Sequence, residues 1–384
     1  MDHAKPAAQD TSDTLTRLRC EIDGLNSELV SLLSRRAQIA LEIAGRKRAV
    51  GRPVHDPERE LVMMASTLDR NPGPFSNEVV AHLLNEVVKA TVALMNGEER
   101  STLTVARTQN SKDTIVTVKG VDVGAEPVLI AGPCSVEGEV QVEQSARFLA
   151  SRGVRLMRGG AFKPRTSPYE FQGLGRRGLE LLSCAARRHG LGVVTEIVDP
   201  RHVELVSAHA DLLQVGARNM QNFELLKALG SAGRPVLLKR GLAATLDELL
   251  HAAEYVASHG NTRLVLCERG IRTFERSTRN TLDVSAVPLL RRMTHLPVLV
   301  DVSHAAGRRD ILADLARAAL ASGAHGLMVE VHPCPAVARS DAQQQLDFAE
   351  FDDLLSTLRR PMPGLRLDTC PSLAAPADWR MKGP

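Results

Sequence analysis

Charged and metal-binding side chains recur in this 384-residue chain at the ends of short apolar runs. Cys134 follows VLIAG, Arg158 closes VRLMRG, Glu196 sits in GVVTEI, and DLLQVG leads to Arg218. Lys239 and Arg240 close PVLLKR, Glu268 and Arg269 close RLVLCERG, Asp301 and His304 close PVLVDVSH, and Glu330 and His332 close GLMVEVH. One charged strand end reads as a solvated rim; eight in succession read as a site. Two chemistries separate among them. Cys134, His304, Glu330 and Asp341 offer sulfur, nitrogen and oxygen donors, a mixed set that suits a divalent transition metal acting as a Lewis acid. Arg158, Lys163, Arg165, Arg218, Lys239 and Arg269 are cationic, and several adjoin glycine, as in Arg158-Gly159-Gly160 and Gly216-Ala217-Arg218. Glycine lets the backbone approach a phosphate while a guanidinium forks onto its oxygens. Six such cations imply more anionic charge than one phosphate carries.

Spacing alone does not group these residues; an architecture must. The eight apolar runs span about 235 residues and alternate with helix-like segments such as 138–152, 173–190 and 244–259. That pattern predicts an α/β chain with a (β/α)8 TIM barrel over 127–360, whose site lies at the carboxyl ends of the strands. Before it, Asp113 to Gly124 reads as a short hairpin following a polar linker, so that 98–126 joins two domains. Residues 13–97 read as an all-α domain of three helices. Its first helix, from Thr14 to Val50, carries Leu18, Ile22, Leu25, Leu29 and Leu32 at 4-3 spacing, a bundle seam too long to fold back on a small monomer. The second helix runs over Glu58 to Thr67 and the third from Ser76 to about Met95. Residues 1–12 and 361–384 are expected to be disordered.

The seam continues through Ile39 and Ile43, but positions 36 and 47 on the same stripe are Arg36 and Lys47. Eleven residues at about 100° each return to one face of a helix. Buried unpaired cations cost several kcal/mol each in order of magnitude, so a dianion between the helices is expected to hold them there.

Composition excludes other classes. Net charge is +3, aromatic residues are 3%, and no block of five basic residues occurs, which argues against a nucleic-acid surface. The start lacks the apolar core of a secretory signal, and no run of 18 apolar residues occurs. Cysteines 20, 134, 184, 267, 334 and 370 form no CxxC pair, so a disulfide framework is not expected and a reducing cytoplasm is.

AGPCSVE (131–137), RGGAFKPRTSPYEFQGLG (158–175), GARNMQNFELLK (216–227), LLKRG (237–241), LCERGIRTFE (266–275), DVSHAAGRRD (301–310) and EVHPCPAVARSD (330–341) together resemble 3-deoxy-D-arabino-heptulosonate 7-phosphate (DAHP) synthases, over about 113–355. The resemblance implies condensation of phosphoenolpyruvate with erythrose 4-phosphate, the first step toward aromatic amino acids. It makes Cys134, His304, Glu330 and Asp341 ligands of Mn, Fe, Co or Zn. Arg158, Lys163, Arg218, Lys239 and Arg269 fall where phosphoenolpyruvate is held, and Arg165, Thr166, Ser167 and Asp301 where the aldose phosphate binds. Lys163 is the implied proton carrier. Val302 stands where many members carry Pro, and Cys334 where an acidic residue is usual. The sister 8-phosphate octulosonate synthases are the alternative for the barrel.

LRCEIDGLN (18–26), Arg36, Lys47 and PVHDPERE (53–60) resemble the all-helical chorismate mutases, which convert chorismate to prephenate. The resemblance assigns Arg36, Lys47, Asp56, Arg59, Glu60 and Thr91 to one pocket, Arg36 and Lys47 being catalytic, with Arg19 supplied by a partner chain. It implies a homodimer through the helices and a tetramer built on it. Met95 stands where the mutases usually carry Gln or Glu. The helical domain is thus expected either to turn chorismate over or to sense it as a regulatory module.

Overall fold

The computed structural model describes residues 6–50, 56–165 and 167–360. The chain divides into two compact units, Met1–Ser111 and Lys112–Pro384.

In the second unit eight parallel strands close a barrel: β3 (Val128–Gly132), β4 (Leu156–Arg158), β5 (Gly192–Ile197), β6 (Leu212–Val215), β7 (Val236–Lys239), β8 (Leu264–Glu268), β9 (Val298–Asp301) and β10 (Gly326–Glu330). Each pairs with its neighbour in sequence, and β10 pairs with β3 in the register Gly326↔Val128 to Glu330↔Gly132. Strands buried on both faces are mostly apolar rather than alternating, and the polar residues they do contain, such as Thr195, Glu196, Gln214 and Lys239, fall toward their carboxyl ends. Helices α4 (Glu139–Ser151), α5 (Arg176–Arg188), α6 (Val203–His209), α7 (Phe223–Gly230), α8 (Leu246–Ser258), α9 (Ala286–Met293), α10 (Val302–Ala306), α11 (Leu312–Ala321) and α12 (Phe348–Arg359) follow the strands. Capping boxes start two of them, Thr245 with Glu248 and Asp347 with Glu350, each satisfying amide groups that a helix start leaves open.

The expected hairpin is present as β1 (Val116–Val118) and β2 (Val121–Val123), paired antiparallel. Its turn places Lys119 and Gly120 at positive φ. Alternation puts Val116, Val118, Val121 and Val123 on one face, and all four are buried. They share a core cluster with Ile130, Leu156, Leu212, Leu237, Val265 and Leu299. The hairpin therefore stoppers the end of the barrel opposite the charged strand ends, and belongs to the barrel unit rather than to a linker.

The first unit contains α1 (Pro6–Ala49), α2 (Pro57–Asp69) and α3 (Asn77–Thr102), with α3 packed on both others. Two boundaries differ from expectation. The first helix starts at Pro6, not Thr14, and α3 continues to Thr102, through the start of the expected linker. Helix ends depend on neighbours that a periodic pattern does not report. Residues 6–12 of the expected disorder over 1–12 open α1 instead; the rest of that expectation, over 1–5, and the one over 361–384 lie outside the described residues. The seam leucines remain in water in the single chain: Ile22, Leu25, Leu29 and Leu32 are each more than half exposed. Each forgoes roughly half of the 1.5–3 kcal/mol that full burial would give. Among the described residues no helix is long and apolar enough to cross a membrane.

Candidate active site

Four residues from distant points of the chain converge at the charged end of the barrel. Cys134, His304, Glu330 and Asp341 each present a ligand atom, all within 4.8 Å of one another. Cys134 follows β3, His304 lies on α10 directly after β9, Glu330 ends β10, and Asp341 lies on the loop after it. Cys134 Sγ is 2.9 Å from Asp341 Oδ2, and His304 Nε2 is 3.3 Å from Glu330 Oε1. His304 Nδ1 faces Asp301 Oδ2 at 2.7 Å, which turns Nε2 toward the other donors. A ligating imidazole held through its second nitrogen by a carboxylate is a recurrent metal-site arrangement. Burial lowers the His304 pKa against the pull of Asp301 and Glu330, so the ring is neutral and its lone pair faces a carboxylate oxygen. Electron-rich atoms crowded at one point fit a cation between them.

Burial pushes the Cys134 thiol up, and Glu330 adds to it, to about 12. Burial raises Glu330 and Asp341 and is the largest single influence on each, but the neighbouring cations together outweigh it. These are His304 in its protonated form with Arg158 and Lys163 at Glu330, and His304 in that form with Arg279 and Lys163 at Asp341, and both carboxyls stay below the usual carboxylate range. The seat thus holds two carboxylates, one neutral imidazole and one thiol that only a cation would deprotonate.

Beside the seat is a cleft of about 420 Å³, walled by Lys163, Arg165, Arg218, Lys239, Arg269 and Arg279 among others. Arg158, Lys163, Lys239 and Arg269 are buried, while Arg218 is exposed on the turn after β6. Arg158 Nη1 donates to Glu330 Oε1 at 2.6 Å, and its buried Nε has no hydrogen-bond partner among the described residues. Lys163 Nζ lies 3.0 Å from Cys134 Sγ and 3.3 Å from its carbonyl oxygen. Burial alone would lower Lys163, but Cys134, Glu330 and Glu196 outweigh it and keep it protonated. Gly216 permits a close approach, since a Cβ there would fall 2.1 Å from Glu196 Oε1.

The aldose-phosphate residues expected from the sequence divide. Arg165 lines the cleft and pairs with Glu170. Ser167 caps the Tyr169 amide at 3.3 Å and does not line the cleft. Thr166 lies outside the described residues. Asp301 is not among the residues that line the cleft: it is fully buried, and Lys239 Nζ and His304 both donate to it. Burial would raise its pKa, but His304 and Lys239 hold it well below the carboxylate range. This carboxylate orients the Lys239 ammonium and the His304 ring.

In the helical unit, Arg36 Nη1 donates to the Thr91 hydroxyl at 2.9 Å, joining α1 to α3. Lys47 Nζ is 3.4 Å from Asp56 Oδ2. Asp56 caps α2 by accepting from the Arg59 amide at 3.2 Å, and that bond, then Lys47, lowers its pKa. Glu60 is half-buried and Arg59 exposed. Arg19 is exposed on α1, and its 17-residue offset from Arg36 is roughly 25 Å of helix at 1.5 Å per residue. One chain does not bring Arg19 to that pocket.

The DAHP synthetase I family matches residues 107–361, two thirds of the sequence. The chain belongs to that family. Chorismate mutase type II matches residues 18–96 of this DAHP synthetase I chain. Among curated relatives, the phospho-2-dehydro-3-deoxyheptonate aldolase of Thermotoga maritima is 53% identical over 257 residues, covering 67% of this chain and 76% of that protein. The 2-dehydro-3-deoxyphosphooctonate aldolase of Acidithiobacillus ferrooxidans is 31% identical over 249 residues, covering 60% and 88%. The crystal structure of the Thermotoga enzyme superposes with a TM-score of 0.64, covering 66% of this chain and 74% of that one. DAHP synthetase I enzymes are generally metal-dependent, and the four-donor seat of this member agrees with that.

Several residues around the DAHP synthetase I cleft carried no signal in the sequence. Arg279, on the long loop after β8, donates to Asp341 Oδ1 at 3.0 Å. Asn280 donates to the His304 carbonyl at 2.9 Å, beside Arg269 at 3.2 Å. Gln214 donates to Glu196 Oε2 at 3.2 Å. Gln344 and Gln345, a few residues past Asp341, reach into the seat itself. A glutamine run after a charged motif could have drawn attention to the last two; nothing marks the others.

Proposed function

We propose that the barrel condenses phosphoenolpyruvate with erythrose 4-phosphate and water to give DAHP and phosphate. The observation that carries this reading is the four-donor seat opening onto a cleft walled by cations. A divalent ion in the seat, Mn, Fe, Co or Zn, supplies Lewis acidity toward the aldehyde oxygen. Cys134, His304, Glu330 and Asp341 hold it. Arg158, Lys163, Arg218, Lys239 and Arg269 bind the carboxylate and phosphate of phosphoenolpyruvate and align its C3 with the aldehyde carbon. Arg165 takes the aldose phosphate by exchanging its Glu170 partner for it, aided by its sequence neighbours Thr166 and Ser167. C3 forms the new carbon–carbon bond, water adds at C2, and the C2–O bond to phosphate breaks. Lys163, charged and beside the seat, delivers the proton to the aldehyde oxygen. Fifty-three per cent identity to the heptonate aldolase against 31% to the octonate aldolase favours the four-carbon aldose.

Arg218→Ala is the direct test of the cradle, because Arg218 is exposed on the turn after β6 and is not among the metal donors. Loss of a charge-assisted contact is worth about 1.5–3 kcal/mol, so phosphoenolpyruvate should bind about 10- to 100-fold more weakly, with metal content unchanged. Calorimetry showing unaltered binding would remove Arg218 from the site.

The helical unit is proposed to bind chorismate or prephenate between Arg36, Lys47, Arg59 and a partner's Arg19, with Thr91, Asp56 and Glu60 completing the pocket. The exposed seam of α1 supports a homodimer covering it; a tetramer built on that dimer and a cytoplasmic location are proposed with it. Occupancy of this pocket is proposed to inhibit the barrel, since a ligand preferring one global state shifts the other site. Arg36→Ala should then condense its substrates normally but lose inhibition by prephenate in steady-state assays. Inhibition as strong as the parent's would place the sensor elsewhere.

A further inference from the structure

We propose that Gln344 and Gln345 form a two-part clasp that sets the geometry of the four-donor seat. The inference rests on reading that seat as a metal site. Both side chains are almost completely buried, and neither is among the donors. A buried amide is costly unless its acceptor and donor ends are both used. Here both are used, and every partner belongs to the seat or its supports.

Gln345 joins two loops. Its Oε1 accepts the amide hydrogen of Cys134 at 2.8 Å, and its Nε2 donates to the Ser340 carbonyl at 2.8 Å. Cys134 is a donor of the seat and Ser340 precedes another, so one side chain spaces the sulfur from the Asp341 carboxylate. The Ser135 and Ser340 hydroxyls, 2.7 Å apart, add a second tie between the same loops.

Gln344 orients a carboxylate. Its Nε2 donates to Glu330 Oε2 at 2.5 Å, and its Oε1 accepts from Arg279 Nη1 at 2.8 Å. The assignment of the amide is forced, because a guanidinium only donates and a carboxylate only accepts. With Oε2 engaged, the rotation of Glu330 is fixed and Oε1 stays toward His304. Arg279 extends the clasp to Asp341 Oδ1.

Asp341 shows why a clasp is needed. Its φ is +49°, a left-handed conformation in a residue other than glycine. Such backbone persists only where its surroundings over-determine it. The Gln344 amide closes the turn on the Asp341 carbonyl at 3.3 Å, and the two glutamine side chains hold the flanks.

The experiment is Mn²⁺ titration of the metal-stripped full chain by calorimetry, with the melting temperature of each metal-free variant. Gln345→Leu and Gln344→Leu keep the bulk and delete the hydrogen bonds. Each should weaken Mn²⁺ binding about 10- to 100-fold, the range for partners that orient metal ligands, and broaden the paramagnetic resonance lines of the bound ion. Asn261→Leu removes a buried amide that bridges the Leu229 and Arg234 carbonyls far along the chain. It should lower the melting temperature without changing Mn²⁺ affinity. If one glutamine variant does not fold, the other decides. Glutamine variants that lose thermal stability like Asn261→Leu but bind Mn²⁺ as tightly as the parent overturn the clasp alone. A parent that takes up no Mn²⁺ overturns the seat and the clasp together.

Discussion

Cys134→Ala is expected to lose bound metal and condensation together, while circular dichroism and melting still report a folded barrel. The thiol is fully buried and pushed up to about 12, first by burial and then by Glu330. It therefore stays protonated at neutral pH until a metal ion displaces the proton. The sign follows directly. Metal uptake by the parent releases that proton, so its apparent affinity should rise with pH by up to about tenfold per unit. Alanine has no proton to release, and the variant's weak residual binding should lose that component of the pH dependence. Lewis-acid stabilisation worth several kcal/mol corresponds to a rate loss on the order of 10³-fold or more. Metal analysis after dialysis and an assay of phosphoenolpyruvate consumption check both halves. Full activity in chelator-treated, metal-free parent protein would sink the reading.

Met95→Gln should raise chorismate turnover by about 10²- to 10³-fold. The pocket already has its cations, and Arg36 is anchored to the Thr91 hydroxyl on α3. Position 95 lies four residues further along the same helix, on the same face. A rearrangement that cleaves an ether bond gains from a donor at the ether oxygen, and a thioether has no proton to give. One such donor is worth about 2.7–4 kcal/mol in the barrier. The disappearance of chorismate absorbance measures the gain, and prephenate inhibition of the barrel should persist in the variant. Equal turnover in parent and variant would show that position 95 does not face the breaking bond.

The fold was legible because barrel strands announce themselves. Strands buried on both faces leave mostly apolar runs, and a charged or metal-binding residue at or just past each carboxyl end marks where the run meets the site. The Cys134, His304, Glu330 and Asp341 group followed once the barrel was assumed, since only closure brings β3 beside β10. Other features were beyond a one-dimensional pattern. Resemblance alone assigns Asp301 to the aldose phosphate, and the pattern could not foretell that it is fully buried and holds Lys239 and His304. Arg279 sits on an irregular loop with no period to expose it. Gln344 and Gln345 carry no charge, and their importance lies in what a neutral amide can join. The start of α1 and the end of α3 escaped because polar residues at helix termini resemble linkers.

The four valines of the hairpin make the barrel a vessel with one opening. Cys134 and Glu330 lie on its floor, both without solvent exposure, and the cationic cleft lies above them. The seat and the substrates' cleft therefore share an approach, because His304 and Asp341 line the cleft as well as the seat. A loaded cleft covers that approach, so occupancy of one level bears on exchange at the other.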